Sequence, residues 1–458
     1  MTTLPAEIFK AYDIRGIVGK SLTPEVARAV GQALGSLARE KGGAPIAVGR
    51  DGRLSGPELA NALMDGIQAA GIDAIDLGML PTPVTYFAGH HLGNQSVVSV
   101  TGSHNPPDYN GLKMVVAGET LYGDAIQQLK QRFERGELAT GQGKRSHADV
   151  AAAYIARIVS DVKLARPMKI VMDCGNGVAG AIAPELFKQL GCEIVPLFCE
   201  VDGTFPNHHP DPSKPENLED VVRALRDTDA ELGIAFDGDG DRLGVVTKDG
   251  EIIFPDRQLM LFAEDVLTRV PNGQILYDVK CTRQLAPWIA ERGGKPLMWR
   301  TGHALIKAKL KETGAPLAGE MSGHVFFKER WFGFDDGLYA GARLLEILSR
   351  SADGNAVLKA LPKAVSTPEL NIKMAEGEPF VLLDKLKANA RFDGAREIID
   401  IDGLRVEFAD GFGLARPSNT TPVVVLRFEA DNPAALARIQ REFGHALTAV
   451  WPGIVMPF

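Results

Sequence analysis

Four short stretches of the 458-residue chain carry residues able to do chemistry, and the first is Thr101-Gly102-Ser103-His104-Asn105-Pro106-Pro107-Asp108-Tyr109-Asn110. It holds one nucleophile, Ser103, and one imidazole, His104, between the apolar runs Val97–Val100 and Leu112–Val116. Pro106 and Pro107 fix their own φ, and Pro106 also restricts Asn105. A stiff loop at a strand end presents a reactive hydroxyl well. By composition alone the same residues also make an ordinary Ser/Asn/Pro turn.

The second stretch is Asp237-Gly238-Asp239-Gly240-Asp241-Arg242. Three carboxylates this close repel one another unless a cation sits among them. Oxygen-only ligands favour Mg²⁺, Mn²⁺ or Ca²⁺ over zinc. The calcium EF-hand shares the spacing but fails at its sixth position, Arg242 in place of Gly, and at its twelfth, Lys248 in place of Glu. The third stretch, Glu320-Met321-Ser322-Gly323-His324, offers a carboxylate, a hydroxyl and an imidazole suited to sugar hydroxyls. The fourth, Arg416-Pro417-Ser418-Asn419-Thr420, offers a guanidinium, two hydroxyls and an amide suited to a phosphate dianion. His303 follows Arg300-Thr301-Gly302 and is a candidate phosphate ligand, whereas His208 and His209 read as packed or surface residues.

A fifth motif, Gly175-Asn176-Gly177-Val178-Ala179-Gly180, matches the dinucleotide fingerprint G-x-G-x-x-G, with Glu200 further on. Hydride transfer would leave Ser103, the aspartates and Glu320 without roles. The glycines are therefore assigned to tight packing at a strand-to-helix turn.

The elements that must position these loops recur. Strands at Ile46–Val48, Ala74–Leu77 and Val97–Val100, with a helix over 57–70, form one unit. Strands at 169–172, 193–198 and 232–236 form a second, with a helix near 181–190. Strands at 274–277, 296–299 and 315–318 form a third, with a helix near 282–291. This alternation predicts parallel sheets with helices packed on them, and ligands at the carboxyl ends of the strands. Each third strand ends in one of the chemical loops. A helix over 24–38 precedes the first unit, with Thr23 as N-cap and Pro24 at its first position. A strand over 421–428 and a helix over 434–450 close a fourth, α+β unit. The predicted class is three similar α/β domains with mixed, mainly parallel sheets plus a C-terminal α+β domain around a central cleft. The expected boundaries are 1–148, 149–251, 252–363 and 364–458.

A net charge of −8 argues against nucleic-acid or anionic-membrane binding by the whole chain, so an anionic substrate needs a local cluster of Arg and Lys. Cys174, Cys192, Cys199 and Cys281 show no C-x-x-C spacing and read as buried thiols in a reducing compartment. With no apolar leader and no bilayer-length run, a soluble cytoplasmic protein is expected.

Together the four loops resemble those of the α-D-phosphohexomutases, in family order and over nearly the whole chain. Thr101 to Pro106 resembles their phosphoserine loop, Asp237 to Arg242 their metal loop, and Arg416 to Thr420 their phosphate-binding loop. Gly319 to His324 is similar to the sugar-binding loop of the phosphomannomutase/phosphoglucomutase branch. Gly102 stands where the family usually has Ala or Ser, a change that removes no chemical group.

The resemblance implies reversible transfer of phosphate between O1 and O6 of glucose and mannose phosphates. The substrates would be glucose 1-phosphate, glucose 6-phosphate, mannose 1-phosphate and mannose 6-phosphate. It implies a phosphate on Ser103, a hexose 1,6-bisphosphate intermediate and activator, and one Mg²⁺ held by Asp237, Asp239, Asp241 and the Ser103 phosphate. Arg15 and Lys113 resemble the basic residues near the phosphoserine, and Arg242 adds positive charge beside the metal. Lys113 is a proton acceptor if cationic neighbours lower its pKa, and His324 is the second candidate. Tyr12, Lys280 and His303 match positions lining the substrate path. Glu320 and Ser322 are expected to hold the sugar, and Arg416, Ser418, Asn419 and Thr420 the distal phosphate. A monomer is expected. The rivals are a phosphoglucosamine mutase, a metal-dependent sugar phosphatase and a non-catalytic sugar-phosphate sensor.

Overall fold

The structure is a computed structural model that describes residues 4–419 and 421–458. Three of its sheets share one four-stranded plan. In the first, Ile46–Arg50 runs parallel to both Ala74–Met79 and Val97–Val100, and Tyr109–Val116 returns antiparallel to Val97–Val100. In the second, Met168–Asp173 runs parallel to Cys192–Leu197 and Leu232–Phe236, and Leu243–Thr247 returns antiparallel to Leu232–Phe236. In the third, Gln274–Asp278 runs parallel to Lys295–Trp299 and Leu317–Gly319, and Val325–Phe327 returns antiparallel to Leu317–Gly319. Each chemical loop is therefore the connection between the third parallel strand and its returning partner. The first sheet also carries Ile14–Ile17 beside Tyr109–Val116, which places Arg15 next to the Ser103 loop.

The fourth sheet is antiparallel throughout. Gly411–Pro417 pairs with Leu404–Phe408 and with Val423–Ala430, so the Arg416 loop is likewise a connection between paired strands. Helices Glu378–Asn389 and Pro433–Val450 cover this sheet, packing Leu382, Leu386, Ile439 and Phe443 into its core.

Local chemistry accounts for the main elements. Val97–Val100 and Leu232–Phe236 are buried along their whole length, as strands covered on both faces must be. Thr23 Oγ1 accepts from the Val26 N–H at 3.3 Å and caps the helix Pro24–Glu40. That helix meets Gly56–Ala69 at glycines, and a Cβ on Gly31 would lie 2.1 Å from the Leu63 carbonyl oxygen. Some boundaries differ from the sequence expectation. The expected helix near 181–190 divides into a 3₁₀ turn, Val178–Ala181, and a helix, Ala183–Gln189, because Ile182 leaves the helical region at φ −124°. The third unit's helix starts at Leu285 rather than 282.

One apolar core runs from Phe87 and Tyr154 through Met172 and Phe236 to Phe262 and Tyr339, joining the first three units. The fourth unit has its own core and meets the third at a small apolar contact, Val279 with Phe412 and Leu414. Polar contacts supply the rest of that junction. Arg405 donates to the carbonyls of Val279 at 2.5 Å and Cys281 at 2.7 Å, and Thr282 donates to Glu429 at 2.8 Å.

Among the described residues no helix is long and apolar enough to cross a membrane. Cys174, Cys192 and Cys281 are buried, but Cys199 is only partly covered, contrary to the expectation of four buried thiols. It follows a sharp turn at Phe198, whose φ is +48°, just beyond the end of its strand.

Candidate active site

Ser103 sits at φ +50°, a strained left-handed turn, with only 2% of its surface exposed. Two residues at the end of the first strand shape its loop. Asp51 accepts from Thr101 Oγ1 at 2.8 Å and from the Gly102 N–H at 3.1 Å. Arg53 donates to the carbonyls of Ser103 at 2.9 Å, Asn105 at 2.6 Å, Pro106 at 2.5 Å and Tyr109 at 2.9 Å. This fit gives Gly102 a structural reason: a Cβ there would stand 2.3 Å from Arg53 Nε. Arg15 donates to Asn105 Oδ1 at 2.7 Å and to Asp13 at 2.5 Å.

The Ser103 hydroxyl donates to Asp237 Oδ2 at 3.2 Å and lies 3.0 Å from His104 Nδ1. Burial, then Arg242, Arg15 and Lys113, hold His104 well below the usual imidazole pKa, so its ring is neutral. The two loops touch through backbone, since a Cβ on Gly238 would lie 2.3 Å from the Ser103 carbonyl oxygen.

Asp237, Asp239 and Asp241 are fully buried, with carboxylate oxygens within 4.8 Å of one another. Asp237 Oδ1 accepts from the N–H groups of Asp241 at 3.1 Å and Arg242 at 3.2 Å. Asp239 Oδ2 accepts from Thr82 at 2.6 Å and from Lys113 at 2.8 Å, and Asp241 Oδ2 accepts from Lys113 at 2.5 Å. Asp239 Oδ1 is buried with no hydrogen-bond partner. Burial and the neighbouring carboxylates of Asp241 and Asp239 push Asp237 well above the usual range. A crowded all-oxygen set with an orphaned buried oxygen fits a hard divalent cation.

Lys113 does not meet the condition for a proton acceptor. Burial pulls its pKa down, but Asp239 and Asp241 outweigh burial and raise it. Its neighbours are anionic rather than cationic, so it stands here as an ammonium that neutralises the aspartates.

His324 lies between two carboxylates. Its Nδ1 is 3.0 Å from Glu320 Oε2 and 3.1 Å from Ser322 Oγ, and its Nε2 is 3.2 Å from Asp241 Oδ1. Burial lowers its pKa and Asp241 raises it; with Glu320 adding to the rise, the ring is pushed up to about 9. Arg242 Nε, 3.2 Å from the same Nε2, opposes that rise. Glu320 Oε1 accepts from the Gly302 N–H at 2.6 Å. His303 begins the helix His303–Thr313, with its ring centroid 5.8 Å from that of His324 and its Nδ1 3.5 Å from Asp335.

A second group lies toward the fourth domain. Arg416 pairs with Asp402 through Nε at 3.1 Å and a terminal nitrogen at 3.3 Å. Lys280 donates to Glu369 at 2.9 Å. The Ser418 hydroxyl lies 3.1 Å from Thr421 Oγ1; Thr420 lies outside the described residues. Tyr12 joins the two groups. Its hydroxyl donates to the Thr301 carbonyl at 2.7 Å and accepts from the Asn419 amide. The Thr301 N–H donates to Asp402 at 2.9 Å, so one segment, Thr301-Gly302, touches both Glu320 and the partner of Arg416.

Ser103, Arg15, Lys113, Arg242, His324 and the three aspartates thus converge, whereas Lys280, Arg416, Ser418 and Asn419 stand apart from Ser103 with partners of their own. Asp51, Arg53, Asp402 and Glu369 carry no role in the sequence reading. Only the run Arg50-Asp51-Gly52-Arg53 at a strand's carboxyl end offered a signal for any of them. The dinucleotide-like glycines pack against the metal loop: a Cβ on Gly177 would lie 2.9 Å from the Gly238 carbonyl oxygen, and one on Gly180 would lie 2.0 Å from that of Cys199. His208 and His209 are packed residues. His208 contacts Asp173 at 3.0 Å, and His209 bonds the His104 carbonyl.

Known proteins resemble this chain in sequence and fold. The phosphoglucomutase/phosphomannomutase alpha/beta/alpha domains I, II and III match residues 6–140, 152–250 and 254–365, and the C-terminal domain matches 369–446. The chain is 59% identical over 459 residues to a phosphoglucomutase of Neisseria gonorrhoeae, covering 99% of this chain and 100% of that one. It is 56% identical over 457 residues to a phosphomannomutase/phosphoglucomutase of Pseudomonas aeruginosa, covering 100% and 98%. The crystal structure of a phosphoglucomutase/phosphomannomutase family protein from Burkholderia thailandensis matches with a TM-score of 0.95 at 63% identity over 100% of both chains. With all four domains matched in order, and relatives this similar over their full length, the chain belongs to the phosphoglucomutase/phosphomannomutase family of phosphohexomutases.

Proposed function

We propose that this phosphohexomutase moves phosphate between O1 and O6 of both glucose and mannose phosphates, through phosphorylated Ser103 and a hexose 1,6-bisphosphate. The observation that carries the reading is the Ser103 hydroxyl, buried and 3.2 Å from the Asp237 carboxylate. Phosphoryl transfer depends on positioning and charge neutralisation. Arg15, Lys113 and Arg242 bring positive charge to the same place. Burial of Ser103 keeps water from its phosphate and favours a mutase over a phosphatase.

Asp237, Asp239 and Asp241 would hold Mg²⁺. When bound, it supplies positive charge to the phosphate and to the departing Ser103 oxygen. His324, braced by Glu320 and Asp241, exchanges the proton of the attacking sugar hydroxyl. Glu320 and Ser322 reach O3 and O4 of the sugar. Arg416, Ser418, Asn419 and Thr420 hold the distal phosphate, with Tyr12, Lys280 and His303 lining the path. The reading takes the four units as 1–148, 149–251, 252–363 and 364–458 and the protein as a cytoplasmic monomer.

Glucose and mannose differ at O2 and agree at O3 and O4, so contacts to O3 and O4 admit both sugars. The relatives named for both activities support this. The test is kcat/KM for glucose 1-phosphate and mannose 1-phosphate under one set of conditions. The expected ratio is small; discrimination above about a thousandfold, ~4 kcal/mol, would mean that O2 is read.

A further inference from the structure

Two of the four cysteines stand side by side, and the phosphotransfer chemistry uses neither. Cys174 directly follows the strand Met168–Asp173, and Cys199 lies two residues beyond the end of Cys192–Leu197. These strands are parallel neighbours with Asp173 opposite Leu197, and the Cys174 N–H donates to the Leu197 carbonyl at 3.1 Å. The two sulfurs are 3.6 Å apart. A disulfide requires the sulfurs to close from 3.6 Å to about 2.05 Å.

The pair is asymmetric. Cys174 is fully buried, whereas Cys199 is partly exposed. Cys199 Sγ donates to Cys174 Sγ and lies 3.5 Å from the Leu197 carbonyl oxygen. The contact between the sulfurs, with burial, raises the Cys174 pKa. Cys199 is therefore the member that a small oxidant reaches first, and the shielded Cys174 lies behind it in contact.

We propose that Cys199 and Cys174 form a peroxide-responsive dithiol, with Cys199 as the oxidised residue and Cys174 as the resolving one. The Cys199 thiolate attacks one oxygen of hydrogen peroxide. The O–O bond breaks, a sulfenic acid forms on Cys199 and hydroxide leaves. Cys174 then attacks the Cys199 sulfur, the S–S bond forms, the S–O bond breaks, and the departing hydroxide takes up the Cys174 proton as water. The Cys199 proton converts the first hydroxide to water. Two thiols lose two electrons, and one peroxide becomes two waters.

The turn after Cys174 leads to the metal loop. The Gly177 N–H donates to the Cys174 carbonyl at 2.7 Å, and the Val178 N–H donates to the Gly238 carbonyl at 3.1 Å.

The full-length protein is treated with hydrogen peroxide, quenched with an alkylating reagent and mapped without reduction. The expected result is a Cys174–Cys199 linked peptide and an intact mass lower by two hydrogens, restored by dithiothreitol. Cys199→Ser should lose the linkage and leave Cys174 unmodified. Cys174→Ser should stall at sulfenic acid on Cys199, trapped by dimedone. Because Cys174 is buried, Cys199→Ala serves as the second variant if Cys174→Ser fails to fold. Oxidation of Cys199 to sulfinic acid without linkage, a link to another cysteine, or full alkylation of both thiols after peroxide would each overturn the proposal. None of these readouts depends on mutase activity.

Discussion

Ser103 directs its hydroxyl to Asp237 from a left-handed turn, while Thr101 in the same loop commits its own hydroxyl to Asp51. Only the first faces the aspartate cluster. Ser103→Ala should keep the fold and lower turnover by more than about a thousandfold, ~4 kcal/mol of barrier, with no phosphate on the protein by intact mass. Residual phosphate mapped to another side chain would assign the nucleophile elsewhere. A second residue sets a pH dependence of stability. Asp336 caps the helix Gly337–Leu348, accepting from the Tyr339 N–H at 2.9 Å, the Tyr154 hydroxyl at 2.9 Å and Trp331 Nε1 at 3.2 Å. Burial nevertheless pushes its carboxyl up to about 7, from an ordinary value of 3.8. Between these values the folded state holds a proton that the unfolded chain releases. Stability therefore falls as pH rises from about 4 to about 7 and levels off above, by roughly 4 kcal/mol at most. Asp336→Asn should flatten that slope, measured as thermal midpoints near about pH 5 and about pH 8. Parallel curves for parent and variant would show that Asp336 stays ionised.

At the scale of elements, the Ser103 loop depends on Arg53, four of whose hydrogen bonds go to its backbone carbonyls. A lysine cannot reproduce the planar fork. Arg53→Lys should lose at least two charge-assisted bonds, ~3 kcal/mol, and lower the thermal midpoint. Because Arg53 shapes the loop and touches no substrate group, kcat should fall by about a hundredfold while KM holds. A rise in KM alone would place Arg53 in substrate binding instead. These loops were legible in the sequence because their chemistry is local: Asp237, Asp239 and Asp241 announce themselves within five residues. The strands between which they hang were also legible as apolar runs. The antiparallel return was legible less well, since a run such as Leu243–Thr247 carries no mark of its direction. Arg53 escaped because its acceptors are carbonyls some fifty positions away, and a backbone carbonyl leaves no trace in sequence. Asp402 and Glu369 escaped for the same reason of distance, pairing with Thr301 and Lys280 across domains.

At the scale of the molecule, one apolar core joins the first three domains beside clusters within each of them, and it does not extend to the fourth, which is docked through a small apolar contact and polar bonds. Polar junctions of this kind permit relative motion. Arg416 lies on the fourth domain, so the grip on the distal phosphate proposed for it would act together with that motion. Arg416→Ala should raise KM for both substrate directions by about tenfold or more, and should increase the demand for added hexose 1,6-bisphosphate, because an intermediate lost before it reorients leaves Ser103 unphosphorylated. Unchanged KM and bisphosphate dependence in both directions would release the loop from this role.

The return strands have one more consequence. Each chemical loop is anchored at both ends by a ladder of backbone bonds that is indifferent to what the loop contains. One strand plan thus carries different chemistry at a single connection per copy, with serine in one, carboxylates in the next and a glutamate and histidine in the third. The strands that frame each site and the residues that would do its chemistry are therefore largely different residues, and a turn can be altered while its frame is kept.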